Sequence, residues 1–262
     1  MLGKLLKYDF RAMWKQFSMI WLVALVIALI NRFTLPFNQG GSDGAGGENE
    51  LLAVITISVF MGVMCAMFVV AMVFVLTRFY RGLLGDEGYL MHTLPVKTWQ
   101  LVLSKLICAV VVTVISVAVS ILAMFLMMPI NWIEVFDMEL WKSLVQGLLK
   151  QPDALLYLAE FFLLCVVALV LMITMVYLSM ALGHLFSRHR VLMSVVAFFA
   201  LDILGNLVIG LVNELGLLGF LDKLAVWGGH TGFWVGISLM LIPAVLMFLA
   251  TSYLLKHRLN LE

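Results

Sequence analysis

Charge is what this chain has least of. Of its 262 residues only 12% are Asp, Glu, Lys or Arg, while 64% are hydrophobic, and no water-soluble domain of that size could hide so much apolar surface in one core. An integral membrane protein is therefore expected. The net charge of +1 gives no bulk attraction for nucleic acid, so no nucleic-acid partner is expected and the distribution of charge becomes the informative quantity. Cysteine is scarce too. Cys65, Cys108 and Cys165 all fall inside apolar runs, where neither a disulfide nor a four-ligand metal site is suggested. The five histidines include no H-E-x-x-H or comparable cluster, and no Ser/His/Asp set follows from spacing. Catalytic and metal-binding residues are accordingly unassigned. Absent as well is any G-x-x-x-x-G-K-[ST] loop, so nothing in the chain could cradle a nucleotide phosphate.

What is present is long apolar runs. A helical crossing needs about 20 apolar residues, and six segments qualify, over 17–37, 51–77, 101–128, 156–186, 191–212 and 232–255. The fold class expected is all-α, a single six-span domain over 1–262 with no internal repeat and no separate soluble domain. The first span is the weakest, because only Gln16 to Asn31 run without formal charge and Arg32 must snorkel to an interface. No small-residue cleavage site follows the first apolar run, so that span is expected to be retained rather than removed as a signal peptide.

Lys and Arg orient the spans. With six crossings both termini share a side, and twelve of the 16 basic residues fall on it, leaving Arg32, Lys142, Lys150 and Lys223 on the other. Acidic residues lean the opposite way. Both termini are therefore expected to be cytoplasmic, as is the segment between spans two and three.

Two cytosolic segments stand out. The opening "LGKLLKYDFRAMWKQF" places Leu2, Leu5, Leu6, Phe10, Met13 and Trp14 at near-helical spacing, with Lys4, Lys7, Arg11 and Lys15 on the remaining face. That pattern predicts an amphipathic helix over 1–16, lying in the inner membrane interface. The second segment, 78–100, contains "RGLLGDEGYLMHTLPVKTWQ". Asp86 is a good N-cap and Glu87 is favourable in a first turn, whereas Leu94-Pro95 stops a helix. A short cytosolic helix over 87–93 follows, showing Tyr89, Leu90, His92 and Leu94 to water or to a partner. Thr98 can cap the next helix, with Trp99 anchoring at the interface.

"FYRGLLGDEGYLMHTLPVKTWQLVLSKLI", together with "MLGKLLKYDFRA", resembles permease subunits of bacterial ATP-binding-cassette transporters of the type-2 exporter class. The resemblance implies that 1–16, with Lys4, Lys7 and Arg11, is an elbow helix preceding the first span. It implies that the segment carrying Arg81, Asp86, Glu87, Tyr89, Leu90, His92, Leu94 and Pro95 is a coupling helix that docks on an ATPase subunit. ATP and Mg would then be bound by that partner and not by this chain, which has no ATPase activity of its own. A second permease copy, identical or not, would complete an export path through the bacterial cell membrane for a peptide, a lipid or an amphipathic small molecule. The rival classes are a non-transporting membrane scaffold or immunity protein, which needs no ATPase partner, and an intramembrane enzyme, which needs paired polar groups on facing helices.

Two acids lie within spans. Asp202 and Asn206 are four apart and share a helix face, so Asp202 either bonds between helices or lines a substrate path. Glu160 is expected as an outer-interface residue. Gly228, Gly232 and Gly236, like Ser179, Gly183 and Ser187, form small-residue stripes expected to pack helices within the chain. The 129–155 segment presents a broad apolar face and is expected along the outer membrane surface. The Gly-broken 213–231 segment is apolar enough to dip back into the membrane, and short re-entrant helices there are what the resemblance implies.

Overall fold

A computed structural model describes residues 2–34, 48–84, 97–127, 139, 142, 146–147, 153–186, 189–214, 216 and 229–257. These residues are all-helical, and six helices are long and apolar enough to cross a membrane. They are α1 (Leu2–Thr34), α2 (Glu48–Phe79, continued by a π-helical turn at Tyr80–Leu84), α3 (Thr98–Met127), α4 (Ala154–Gly183), α5 (Arg190–Glu214) and α6 (Gly229–His257). In lipid every backbone N–H and C=O must be satisfied inside the protein, and helices do this within one segment. Pro243 sits inside α6, which continues through it.

Some helices run past the expected ends. The separate helix expected over 1–16 is continuous with the first span, α1 having no break at residue 16. The reason is local: from Leu5 to Ile30 the sequence contains neither Gly nor Pro, and nothing interrupts the i to i−4 ladder. Likewise α2 does not end at residue 77 but runs through Arg78 and Arg81 to Leu84, so the cytosolic segment expected from residue 78 begins as helix. Thr98, expected as a cap, is the first residue of α3. The helix expected over 87–93, most of the 129–155 segment and most of the 213–231 segment lie outside the described residues.

By packing, the chain divides into two units. One comprises Tyr8–Val75 with Val111–Lys150, and the other Met1–Lys7, Leu76–Val110 and Gln151–Glu262. In the first, Ala28, Phe60 and Ala123 form a buried cluster with Leu25, Met64, Leu126 and Met127 packed on it. Small residues at Ala28 and Ala123 let α1 and α3 approach closely, which in lipid replaces the hydrophobic effect as the source of association. The Trp21 indole Nε1 donates to Ser116 Oγ at 3.0 Å, a polar tie between α1 and α3. Phe17 meets Phe74 edge-to-face at 5.0 Å, joining α1 to α2 in the geometry that suits two ring quadrupoles. Arg32 Nη1 donates to the Leu126 carbonyl at 3.3 Å. That bond places the guanidinium on the C-terminal turn of α3, where the helix dipole favours a cation.

The second unit is built around α4, which packs on both α5 and α6. Gly183, the last residue of α4, faces the backbone of Ser194 on α5, and Gly236 of α6 faces Leu164 of α4. Gly183 and Gly236, one from each small-residue stripe, therefore serve packing within the chain, while Ser187 and Gly228 lie outside the described residues. Cys108 of α3 is buried, its thiol 3.9 Å from the Leu6 carbonyl.

Candidate functional site

Three places in the described helices carry chemistry. The first is the end of α2. Phe79, fully buried, stacks on Tyr177 at a ring separation of 3.9 Å, and Tyr80 lies 5.0 Å from the His184 ring. Tyr177 and His184 are seven residues apart, two turns along one face of α4, so two consecutive aromatics of α2 must engage the same neighbour. An α-helix turns about 100° per residue and would swing the second ring away. The wider π turn at Tyr80–Leu84 relaxes that rotation, and π turns of this kind recur at functional sites. Gly82 belongs to the same arrangement: a Cβ there would lie 3.3 Å from Lys105 Cε, so the glycine gives the Lys105 stem room beside the turn. Leu83 and Leu84 are buried, while Arg81 is exposed.

His184 caps α4, its N–H bonded to the Met180 carbonyl at 3.1 Å, just beyond the span. Its Nε2 is buried and has no partner among the described residues. Burial first, and the positive charge of Arg190 second, hold its pKa below the ordinary value. The folded chain therefore prefers neutral His184 and binds fewer protons there than the unfolded chain. That contribution is complete above the ordinary histidine range and is lost as pH falls through it.

The second place is the exposed face of α5. No residue of α5 is buried. Asn206 Nδ2 donates to the Asp202 backbone carbonyl at 3.0 Å and to Oδ2 at 3.3 Å, so the four-residue spacing does bring the pair together. The bond stays within one helix, however, and both side chains are exposed. The alternative of a bond from Asp202 to another helix is not realised among the described residues.

The third place has a partner that sequence reading did not foresee. Glu160, expected as an outer-interface residue, is only 5% exposed. Its Oε2 lies 2.9 Å from His230 Nδ1, and the His230 ring is stacked on Tyr157 at 4.1 Å with planes 11° apart. A carboxylate is costly at membrane depth and persists where a partner meets it. The partner is 70 residues away, which is why sequence reading missed His230. The usable signal was that Tyr157 and Glu160, three apart, share a face of α4 at the end where α6 begins.

Of the other residues singled out from sequence, Lys7 and Arg11 of α1 are exposed, and Lys4 lies in the same helix. Asp86, Glu87, Tyr89, Leu90, His92, Leu94 and Pro95 lie outside the described residues. Among the described residues no three of His, Cys, Asp and Glu gather as metal ligands. Comparisons with protein-family models, with curated proteins and with solved structures return no match.

Proposed function

We propose that this chain is the membrane-spanning subunit of an ATP-binding-cassette exporter of the type-2 class, driven by a separate ATP-binding subunit and working beside a second permease copy. Support comes from the six apolar helices taken with the two cytosolic segments whose sequence resembles that class. The observation that carries the reading furthest is the end of α2. A membrane helix that runs out through an aromatic-locked π turn into the polar 85–97 stretch transmits force from that stretch directly to α4, through Phe79 on Tyr177 and Tyr80 on His184. ATP-driven closure of the partner would thus bias a two-state switch in the helix bundle. The outgoing substrate would be a peptide, a lipid or an amphipathic small molecule, since the described spans are apolar and poor in charge. Both termini would face the cytosol, as the Lys/Arg distribution directs.

The open polar pair on α5 fits a path shared by two copies. Among the described residues Asp202 and Asn206 hydrogen-bond to each other, and a carboxylate left facing hydrocarbon is unfavourable. Facing a second copy across a hydrated path removes that cost. Asp202→Leu should therefore melt in detergent within about 1 kcal/mol of the wild-type chain, as exposed positions do, while ATP-dependent uptake into inverted vesicles falls at least about tenfold. Asp202→Asn, which keeps the hydrogen bond to Asn206, separates charge from shape. Wild-type uptake by the leucine variant would remove Asp202 from the path.

A further inference from the structure

We infer that the open face of the first half of α1 is a docking surface for acidic phospholipid headgroups. Lys7, Arg11 and Lys15 follow one another at four-residue steps, about 6 Å apart along the helix and turning about 40° per step, and all three are exposed. They form one cationic row. Trp14 and Tyr8, 48% and 72% exposed, flank the row on the same face, as amphipathic aromatics do at headgroup depth. Asp9, the one acid in α1, is 4% exposed and lies on the buried side of the helix with Met13 and Phe17. No charge of opposite sign interrupts the row. A helix lying in the interface would give its apolar side to lipid, but Met13, on that side, is buried in the protein. The basic side is the one left for lipid.

Length sets the depth of the row. The stretch without formal charge, 16–31, holds 16 residues, about 24 Å of helix against about 30 Å of hydrocarbon. Neither end can stray far from its boundary. The far end is held by Arg32 on the Leu126 carbonyl, so Lys15 meets the near edge of the hydrocarbon and Arg11 stands about 6 Å beyond it, among the phosphates. Lys7 can reach back along its own stem. Past the row the same face carries Met19, Leu22, Val26 and Leu29, all exposed, so cations give way to an indole and then to bare alkyl groups. A phospholipid has the matching order, from phosphate to acyl chain. An acidic protein or a nucleic acid would match the row but not its apolar continuation. Because a guanidinium holds a phosphate through two parallel hydrogen bonds, Arg11 is the central contact. The surface requires only that α1 crosses a membrane and does not rest on the exporter reading, since every measurement below uses this chain alone.

The full chain in mild detergent, mixed with phosphatidylglycerol or phosphatidylcholine and read by native mass spectrometry of the lipid it retains, tests the surface. The wild-type chain should prefer phosphatidylglycerol. Arg11→Gln and Lys15→Gln should each cut that preference about fivefold, and together about twenty-five-fold, the usual effect of removing a cation at an anionic lipid surface. Lys256→Gln removes an exposed cation at the end of α6, where Ser252 stands one turn before it in place of a second cation, and should cost less than about twofold. Arg11→Lys keeps the charge and should keep most of the preference, and all four variants, being at exposed positions, should melt with the wild-type chain. Excess free glycerol phosphate should fail to displace the lipid, because it has nothing to lay against Met19 and Leu22. Equal retention of the two lipids by the wild-type chain, an equal loss from Lys256→Gln and Arg11→Gln, or displacement by glycerol phosphate would overturn the lipid surface. An unaltered preference in the double variant would do the same, and loss of a co-purifying protein in that variant would give the face to a protein instead.

Discussion

Gly183→Ala is expected to lower the detergent melting temperature by about 10 °C, a loss of about 3 kcal/mol at the upper end for overpacking, converted at the usual sensitivity of a chain this long. A Cβ at Gly183 would lie 2.6 Å from the Ser194 Cα and backbone N, and closer still to its hydroxyl. A flexible side chain could rotate away. The backbone of α5 cannot, because it is held by its own helical ladder and by the short connection through 184–189, where His189 already adopts a left-handed φ of 61°. Any relief must come from sliding α5 along α4. Gly205→Ala, on α5 with nothing within 4 Å of the added carbon, is the control. It should melt no lower than wild type, since alanine favours helix by about 1 kcal/mol over glycine. Equal melting of the Gly183 variant and wild type would mean that α4 and α5 do not cross as tightly as described.

The largest functional effect is expected from Tyr89→Asp combined with Leu90→Asp. If the 87–93 stretch seats on an ATP-binding subunit, each new carboxylate enters the interface core without a counter-charge, at a cost of about 3 kcal/mol or more apiece. Association should weaken beyond about a thousandfold, and substrate-stimulated ATP hydrolysis should drop to the level of the ATPase subunit alone. The chain itself should insert and melt normally, because both positions lie beyond the ends of α2 and α3. Full stimulation by the double variant would remove this stretch from the coupling route. Its connection to the bundle gives the prediction its mechanical sense: two residues of α2, Phe79 and Tyr80, carry rings that grip α4, so displacement of the 87–93 stretch would be felt at a helix that in turn packs on α5 and α6.

The spans were legible because apolar length is a local property, and the six expected segments correspond to α1 through α6 with ends shifted by a few residues to about fifteen. The greatest shift is at the start of α1. There amphipathic spacing was read as a separate helix, yet amphipathicity describes a face and not a boundary, and no residue between Leu5 and Ile30 breaks the ladder. The π turn was not legible. It arises because Phe79 and Tyr80 both need partners on α4, a condition set by residues about a hundred positions away. The same holds for Glu160, whose exposure and partner depend on where α6 begins. Arg32 shows the intermediate case: its need for a polar partner was readable, but the Leu126 carbonyl that meets it was not. The Asp202 and Asn206 pair was fully readable as a contact, being local to one helix, while the openness of the face that bears it was not.

The central claim is that this chain works as a subunit driven by a separate ATPase, and composition of the purified assembly tests it most directly. Affinity purification of the tagged full-length chain from its native membrane in mild detergent, followed by native mass spectrometry and an ATP hydrolysis assay, should give two permease copies with two copies of a chain bearing a phosphate-binding loop, and hydrolysis that vanishes with the Tyr89→Asp, Leu90→Asp variant. A permease recovered alone, monomeric or self-associated, with no ATP-binding chain and no hydrolysis from membranes in which it is fully functional, would contradict the account.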